Sequence, residues 1–195
     1  MKLQYTIVIA AILVGSIATV NMAFTTSDSD FSANSVKSSA GMLGHVTLTA
    51  TNEDGSIIAY RQTDNVVINA GDNCLLEDTF GVATTCFNTT NPYDDIHIGE
   101  ATAAFGEAST GLGTFHSTTA GTVGTPTLAS GSNGASVTVT ADFVNVSAAI
   151  AEAALRNGPE TTTASDVLAL QSFSAINLGP TDDLSIEWTV TIDGN

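Results

Sequence analysis

Cations are what this chain has least of. Lys and Arg together number 4 against 20 Asp and Glu, a formal net charge of −16 over 195 residues. Phosphate binding needs a basic footprint, so nucleic acid is excluded as a partner and approach to an anionic membrane surface is disfavoured. Charged residues of both signs make up only 12% of the chain. Long helices draw on Leu, Glu, Lys and Arg, so this scarcity argues against a helical cytosolic enzyme. Thr, Ser, Ala, Gly and Asn fill the space, the composition of an extracellular β protein. Salt screens repulsion between exposed carboxylates, so such a surface suits a saline exterior.

Catalytic signatures are missing as well. There is no P-loop, no G-x-S-x-G elbow, no H-E-x-x-H and no C-x-x-C, and "GLG" at 111–113 lacks the rest of a dinucleotide fingerprint. The three histidines, His45, His97 and His116, are dispersed, whereas zinc wants tightly spaced or converging ligands. In "DDIHIGE" alternation sets His97 opposite Ile96 and Ile98, which predicts a surface histidine on a strand's wet face. One Trp, three Tyr and eight Phe offer no aromatic platform for a sugar cleft, and Trp188 reads as a core anchor. Adjacent acids occur at Glu53–Asp54, Glu77–Asp78, Asp94–Asp95 and Asp182–Asp183. A glycosidase needs two carboxyls across a cleft; a turn explains the first of these pairs and loop solvation the last. The expectation is no enzyme.

Long apolar runs are absent with one exception. "MKLQYTIVIAAILVGSIATVNMAF" carries Lys2, then an apolar stretch from Tyr5 to Val20, then polar "TTSDSDFSANS". That order marks residues 1–23 as a secretory signal cut after Ala18 or Ala23, with an uncleaved anchor as the rival; the run is short for spanning a bilayer. No basic-Gly site of a pilin-type leader precedes it. Membrane contact is expected only through this segment. Cysteine is nearly absent too. Cys74 and Cys86, in "CLLEDTFGVATTC", read as one disulfide in an exported chain, worth about 3 kcal/mol by loop-closure entropy. Asn88 in "NTT" and Asn145 in "NVS" fit the N-glycosylation acceptor pattern.

What the chain does have is period-two alternation. In "LSIEWTVTI", Leu184, Ile186, Trp188, Val190 and Ile192 share one face and Ser185, Glu187, Thr189 and Thr191 the other. "HVTLTATNEDGSIIAYRQ" predicts a hairpin turning at Asp-Gly. Asn69 or Asp72 caps a short helix over about 71–80, with Gly81 as its stop. Asp95–Gly99 is a short strand, and 101–134 reads as long loops with one or two edge strands. "ASVTVTADFVNVS" is a strand. "AAIAEAALRNG" is ambiguous, since Ala and Glu favour helix while its place between strands favours sheet. The cations Arg61 and Arg156 are expected to pair with carboxylates on neighbouring strands. Roughly seven to nine strands and one short helix define an all-β class, a single sandwich or jelly-roll-like domain over 45–195. A flexible polar arm over 24–44 precedes it. No internal repeat points to a solenoid or propeller.

Calcium is the cofactor such acidic loops would suit. "DSDFSAN" starts with the oxygen spacing of an EF-hand, but Ala33 and Ser39 stand where Gly and Glu are required. Asp94, Asp95, Asp182 and Asp183 form the alternative ligand set, provided that their loops share one end of the sandwich. No other cofactor is expected.

"DNVVINAGDNCLLEDTFG", "IHIGEATAAFGEASTGL" and "LALQSFSAINLGPTDDLSIEWTVTI" resemble stretches of tail-associated structural proteins of viruses and proviruses. That resemblance implies a jelly-roll-like module without catalytic residues. The N-terminal signal departs from it and resembles exported archaeal and bacterial filament subunits, in which a polar arm becomes a strand of the next subunit. The leading expectation is an extracellular, non-enzymatic subunit of a surface filament or coat, self-assembling by strand sharing. The alternatives are a virus or provirus structural protein, a calcium- or glycan-binding surface module, and last a secreted hydrolase, which would need a convergent acid–base pair.

Overall fold

The structure, a computed structural model, describes residues 41–80, 92–130, 134–158 and 167–193. The expected signal, most of the arm, Gly81, Cys86 and Asn88 lie outside the described residues. The first hairpin joins β1 (Gly41–Thr51) to β2 (Ile57–Asp64). Gly55 has φ 77°, a left-handed conformation that glycine adopts without a side-chain clash. Its N–H donates to the Asn52 carbonyl at 2.9 Å, and Ser56 N–H donates to Asn52 Oδ1 at 2.9 Å. Residues 41–44, expected to belong to the arm, are instead the first residues of β1, because they pair with Asp193 through Val190 of the last strand.

The chain continues through β3 (Val66–Val67), helix α1 (Asn69–Thr79), β4 (Tyr93–Gly99), β5 (Phe115–Ala120), β6 (Thr122–Val123) and β7 (Ala135–Phe143). It closes with β8 (Ala149–Asn157), β9 (Val167–Asn177) and β10 (Asp183–Asp193). All pairings are antiparallel. One sheet has the order β2-β1-β10-β7-β6, here the β10 sheet; the other has β3-β9-β8-β4-β5, here the β8 sheet. Both contribute to one core: Val46 and Leu48 of β1, Phe143 of β7 and Trp188 of β10 meet Ile96, Ile98, Leu155 and Leu168 from the other layer. The architecture is a β-sandwich.

The last strand, whose apolar face needed a cover, is not an edge. β1 flanks it from Gly41↔Asp193 to Thr51↔Asp183, and β7 from Ile192↔Ala135 to Leu184↔Phe143. Its alternation survives intact, with Leu184, Ile186 and Trp188 fully buried. Both flanks of the sandwich are formed by a strand that changes sheets. Past Asn65, β2 of the β10 sheet becomes β3 of the β8 sheet. Past Gly121, whose N–H donates to the Asp94 carbonyl at 2.7 Å, β5 of the β8 sheet becomes β6 of the β10 sheet.

The ambiguous "AIAEAALRN" is strand β8, buried at every position after Ala149. A strand covered on both faces loses alternation and reads as a continuous apolar run, which is why its pattern mimicked a helix. α1 begins at Asn69, close to the expectation. The Phe80 N–H still donates to the Leu76 carbonyl, at 3.2 Å.

Candidate functional site

The outer face of the β8 sheet is roofed. Ile68, Ala154, Val167 and Leu170 form a second small core, with Val66, Ala70, Phe105 and Leu112 packed against it. Phe105 and Leu112 belong to the segment between β4 and β5, Ala70 to the first turn of α1 and Ile68 to the position just before it. The buried polar groups among the described residues are Asp95, His97, Glu152, Arg156 and Asn157. Register explains four of them. Gly99 faces Glu152, His97 faces Ala154 and Asp95 faces Arg156, so these residues share the outward side of β4 and β8.

Glu152 is 0% exposed. Its Oε1 accepts N–H bonds from Thr114 at 2.8 Å and Ala101 at 3.2 Å, and its Oε2 accepts one from Gly113 at 2.9 Å. One carboxylate thus pins both ends of the 100–114 segment through charge-assisted bonds. Gly99 leaves the room this requires, because a Cβ there would collide with Glu152 Oε1 and the Thr114 carbonyl. The group is engaged by backbone donors and holds a loop.

His97 is 1% exposed, which overturns its expected place on a wet face. The roof, not the strand's own period, decides its burial. Burial first, and then the Arg156 charge, lower its pKa from 6.5 to about 4, against an opposing hydrogen bond to the Gly158 backbone. The imidazole is therefore neutral near pH 7. Its ring lies 5.4 Å from that of Phe115, tilted by 56°. Nε2 has no hydrogen-bond partner among the described residues. Asp95 is pushed up by burial and by Asp94; the Gly158 backbone and Arg156 pull it down. Arg156 thus has a carboxylate opposite it on the neighbouring strand, as expected. Arg61 differs, since its Nη1 donates to the Tyr60 carbonyl at 2.8 Å.

The proposed calcium ligands are spread over two sheets. Asp94 and Asp95 lie on β4, whereas Asp182 and Asp183 lie at the β9–β10 turn. Asp182 Oδ2 accepts from Gly179 N–H at 2.7 Å, and Asp183 Oδ1 accepts from Asn145 N–H at 2.9 Å. Among the described residues no group of three or more His, Cys, Asp or Glu side chains could hold a metal ion. His45 and His116 sit in separate pairs, with Asp64 at 3.0 Å and Glu100 at 2.8 Å. Asn145 is exposed on the turn after β7 with φ 54°, an accessible place for its acceptor motif. Cys74 is fully buried in α1.

Two open surfaces were not foreseen. The outer edge of β2 pairs with nothing among the described residues, and the strand bears exposed Ile57, Ile58 and Tyr60. At the Gly41 end of the β10 sheet, an apolar groove of about 240 Å3 is lined by Pro126, Leu128, Ala135, Val137, Val190 and Ile192. Beside it a groove of about 340 Å3 is bordered by Met42, Gly44, Asn65 and the His45–Asp64 pair. The signal for Glu152 was present: a lone Glu and an Arg, four positions apart, in a run otherwise rich in Ala. Neither grooves nor roof leave such a mark. No protein-family model matches the chain, and no curated protein or solved structure matches it either.

Proposed function

We propose that the chain is an exported, non-enzymatic structural subunit of a cell-surface filament or coat, assembling with its own copies. The observation that carries the reading is the β2 edge. Eight residues long, it has a partner on one side only among the described residues, contains no Lys or Pro, and displays Ile57, Ile58 and Tyr60. Natural sheets blunt their edges with those residues or with a cover, and an unblunted edge is a template for another strand. The nested pairing of β1 with β10, β3 with β9 and β4 with β8 supports a jelly-roll-like reading of the sandwich. The signal-like N-terminus, the accessible acceptor at Asn145 and a Cys74–Cys86 disulfide belong to the same extracellular reading. The buried Glu152 and His97 are then structural, locking the roof of a durable module.

Negative-stain microscopy of the processed protein at high salt, with and without calcium, tests it. Regular filaments or sheets are expected. Uniform single particles under every condition overturn the reading, and assembly only with calcium would return the acidic loops to the centre of the argument.

A further inference from the structure

We propose that Asn145 carries an N-linked glycan, transferred from a lipid-linked, phosphate-activated oligosaccharide. The inference rests on the export part of the reading above and does not depend on self-assembly.

The acceptor lies in the turn that joins β7 to β8, residues 144–148. Three hydrogen bonds tie this turn to the β9–β10 turn beside it. Asn145 N–H donates to Asp183 Oδ1 at 2.9 Å, Val146 N–H to the Asp182 carbonyl at 3.0 Å, and Leu178 N–H to the Ala148 carbonyl at 2.9 Å. Val146, the middle residue of the acceptor motif, is 5% exposed and belongs to the shared core. Asn145 and Ser147, on either side of it, are exposed. Neither the Asn145 carboxamide nor the Ser147 hydroxyl bonds to another described residue.

Backbone geometry alone explains half of the motif. Asn145 has φ 54°, in the left-handed region that Asn enters more readily than most residues. The turn therefore accounts for Asn or Gly at 145. It makes no demand on residue 147, where a hydroxyl completes the acceptor pattern. A fixed turn thus presents both groups that the motif needs, with a buried residue other than Pro between them. The strand ends that adjoin undescribed residues lie elsewhere. Thr51 pairs with Asp183, Phe143 with Leu184 and Ala149 with Asn177 at the end of the sandwich that holds this turn. Gly41 pairs with Asp193, Ala135 with Ile192 and Arg156 with Val167 at the other.

In the transfer, Asn145 Nδ2 attacks the anomeric carbon of the donor sugar. The carbon–nitrogen bond forms and the bond from that carbon to the phosphate oxygen breaks. The lipid phosphate leaves with the electron pair, and Nδ2 gives up one of its two protons. The product is a bulky, hydrated group that would cover Val144, 67% exposed next to it. β7 lies three strands from β2 in the sheet, so modification and pairing along β2 involve different parts of the subunit.

The test takes the full chain, expressed with its own N-terminal segment in the cells that normally make it and recovered from outside them. Mass spectrometry of the peptide spanning 143–150 should show a sugar increment located on Asn145 in most of the molecules. Ser147→Ala and Asn145→Gly should each lose it completely, and Ser147→Thr should keep it. Gly adopts the same φ without strain and Ser147 is exposed, so each variant should fold, which thermal melts establish. Exported protein with a bare Asn145 would overturn the proposal and leave the structural-subunit reading standing. A glycan confined to Asn88 would do the same, and so would an increment on Asn145 that survives Ser147→Ala. A chain retained inside the cell would overturn the export reading and this inference together.

Discussion

The two sheets of this sandwich solve the same problem in opposite ways. Outward from the β10 sheet point Thr47, Thr49 and Thr51 of β1, Ser185, Glu187 and Thr189 of β10, and Thr138, Thr140 and Asp142 of β7, all at least partly exposed. They bond sparingly to one another, as Thr138 and Thr189 do at 3.2 Å. Outward from the β8 sheet point Asp95, His97, Ala154 and Arg156, all buried. On the bare sheet a polar side chain meets water and its identity matters little. On the roofed sheet every polar atom must find a protein partner or carry a desolvation cost. The same residue type therefore has different consequences in the two places, and substitutions can measure the contrast.

The shared core sets the upper limit. Trp188→Ala should lower unfolding free energy by about 3–5 kcal/mol, read by urea denaturation. Trp188→Phe should cost clearly less, because it keeps most of the volume and removes an indole Nε1 that has no partner among the described residues. The sharpest comparison comes next. Glu152→Leu strands the N–H groups of Ala101, Gly113 and Thr114 and should cost about 3 kcal/mol; hydrogen exchange should speed at Gly113 and Thr114. Glu187→Leu on the bare sheet should stay within about 0.5 kcal/mol. Equal losses at the two glutamates would erase the distinction between roofed and bare faces.

A pH titration separates the faces by sign. His97 has a folded pKa of about 4, below its unfolded value of 6.5. Between these values the unfolded chain binds the extra proton, so stability rises with pH across that window. The contribution is complete above about pH 6.5, worth about 3 kcal/mol, and lost as pH falls toward 4. Asp95 works against it, since its raised pKa lets the folded state take up a proton sooner than the unfolded chain as pH falls. His97→Gln should flatten the slope of stability between pH 6.5 and 4 in denaturant titrations; an unchanged slope would mean that the roof admits water. The smallest effect belongs to Thr138→Ala, which removes one cross-strand hydroxyl contact and should cost about 0.5 kcal/mol.

The same contrast explains what could be read from the sequence. Leu184 to Ile192 alternate because the β10 sheet has one dry side, and the Asp-Gly hairpin and the helix near 69–79 carried their own local chemistry. β8 was illegible because dryness on both sides erases the period. His97 was misplaced for that reason: its face was inferred correctly, but the cover came from Phe105, Leu112 and α1, remote in sequence and unmarked by any motif. Glu152 stood out as a lone acid in an Ala-rich run, but its role was not legible because its partners are backbone N–H groups, which no side-chain pattern announces. The grouping of Asp94, Asp95, Asp182 and Asp183 depends on which loops share an end of the sandwich, which sequence periodicity does not encode. The open β2 edge and the apolar groove at the Gly41 end depend on which of the described residues reach them, which sequence periodicity does not encode.

The central position of β10 also governs when the molecule can come into being. Gly41 pairs with Asp193 and Thr51 with Asp183, and β7 reaches β1 only through β10. Until β10 has been synthesised, its sheet consists of two separate pairs, β1 with β2 and β6 with β7, with no continuous face to close the core. Closing so long a loop carries an entropic cost, and such topologies fold slowly. The β8 sheet contains no residue of β10 and can pair earlier, so the two layers of one sandwich are completed at different moments, the β10 sheet only when the strand at its centre arrives.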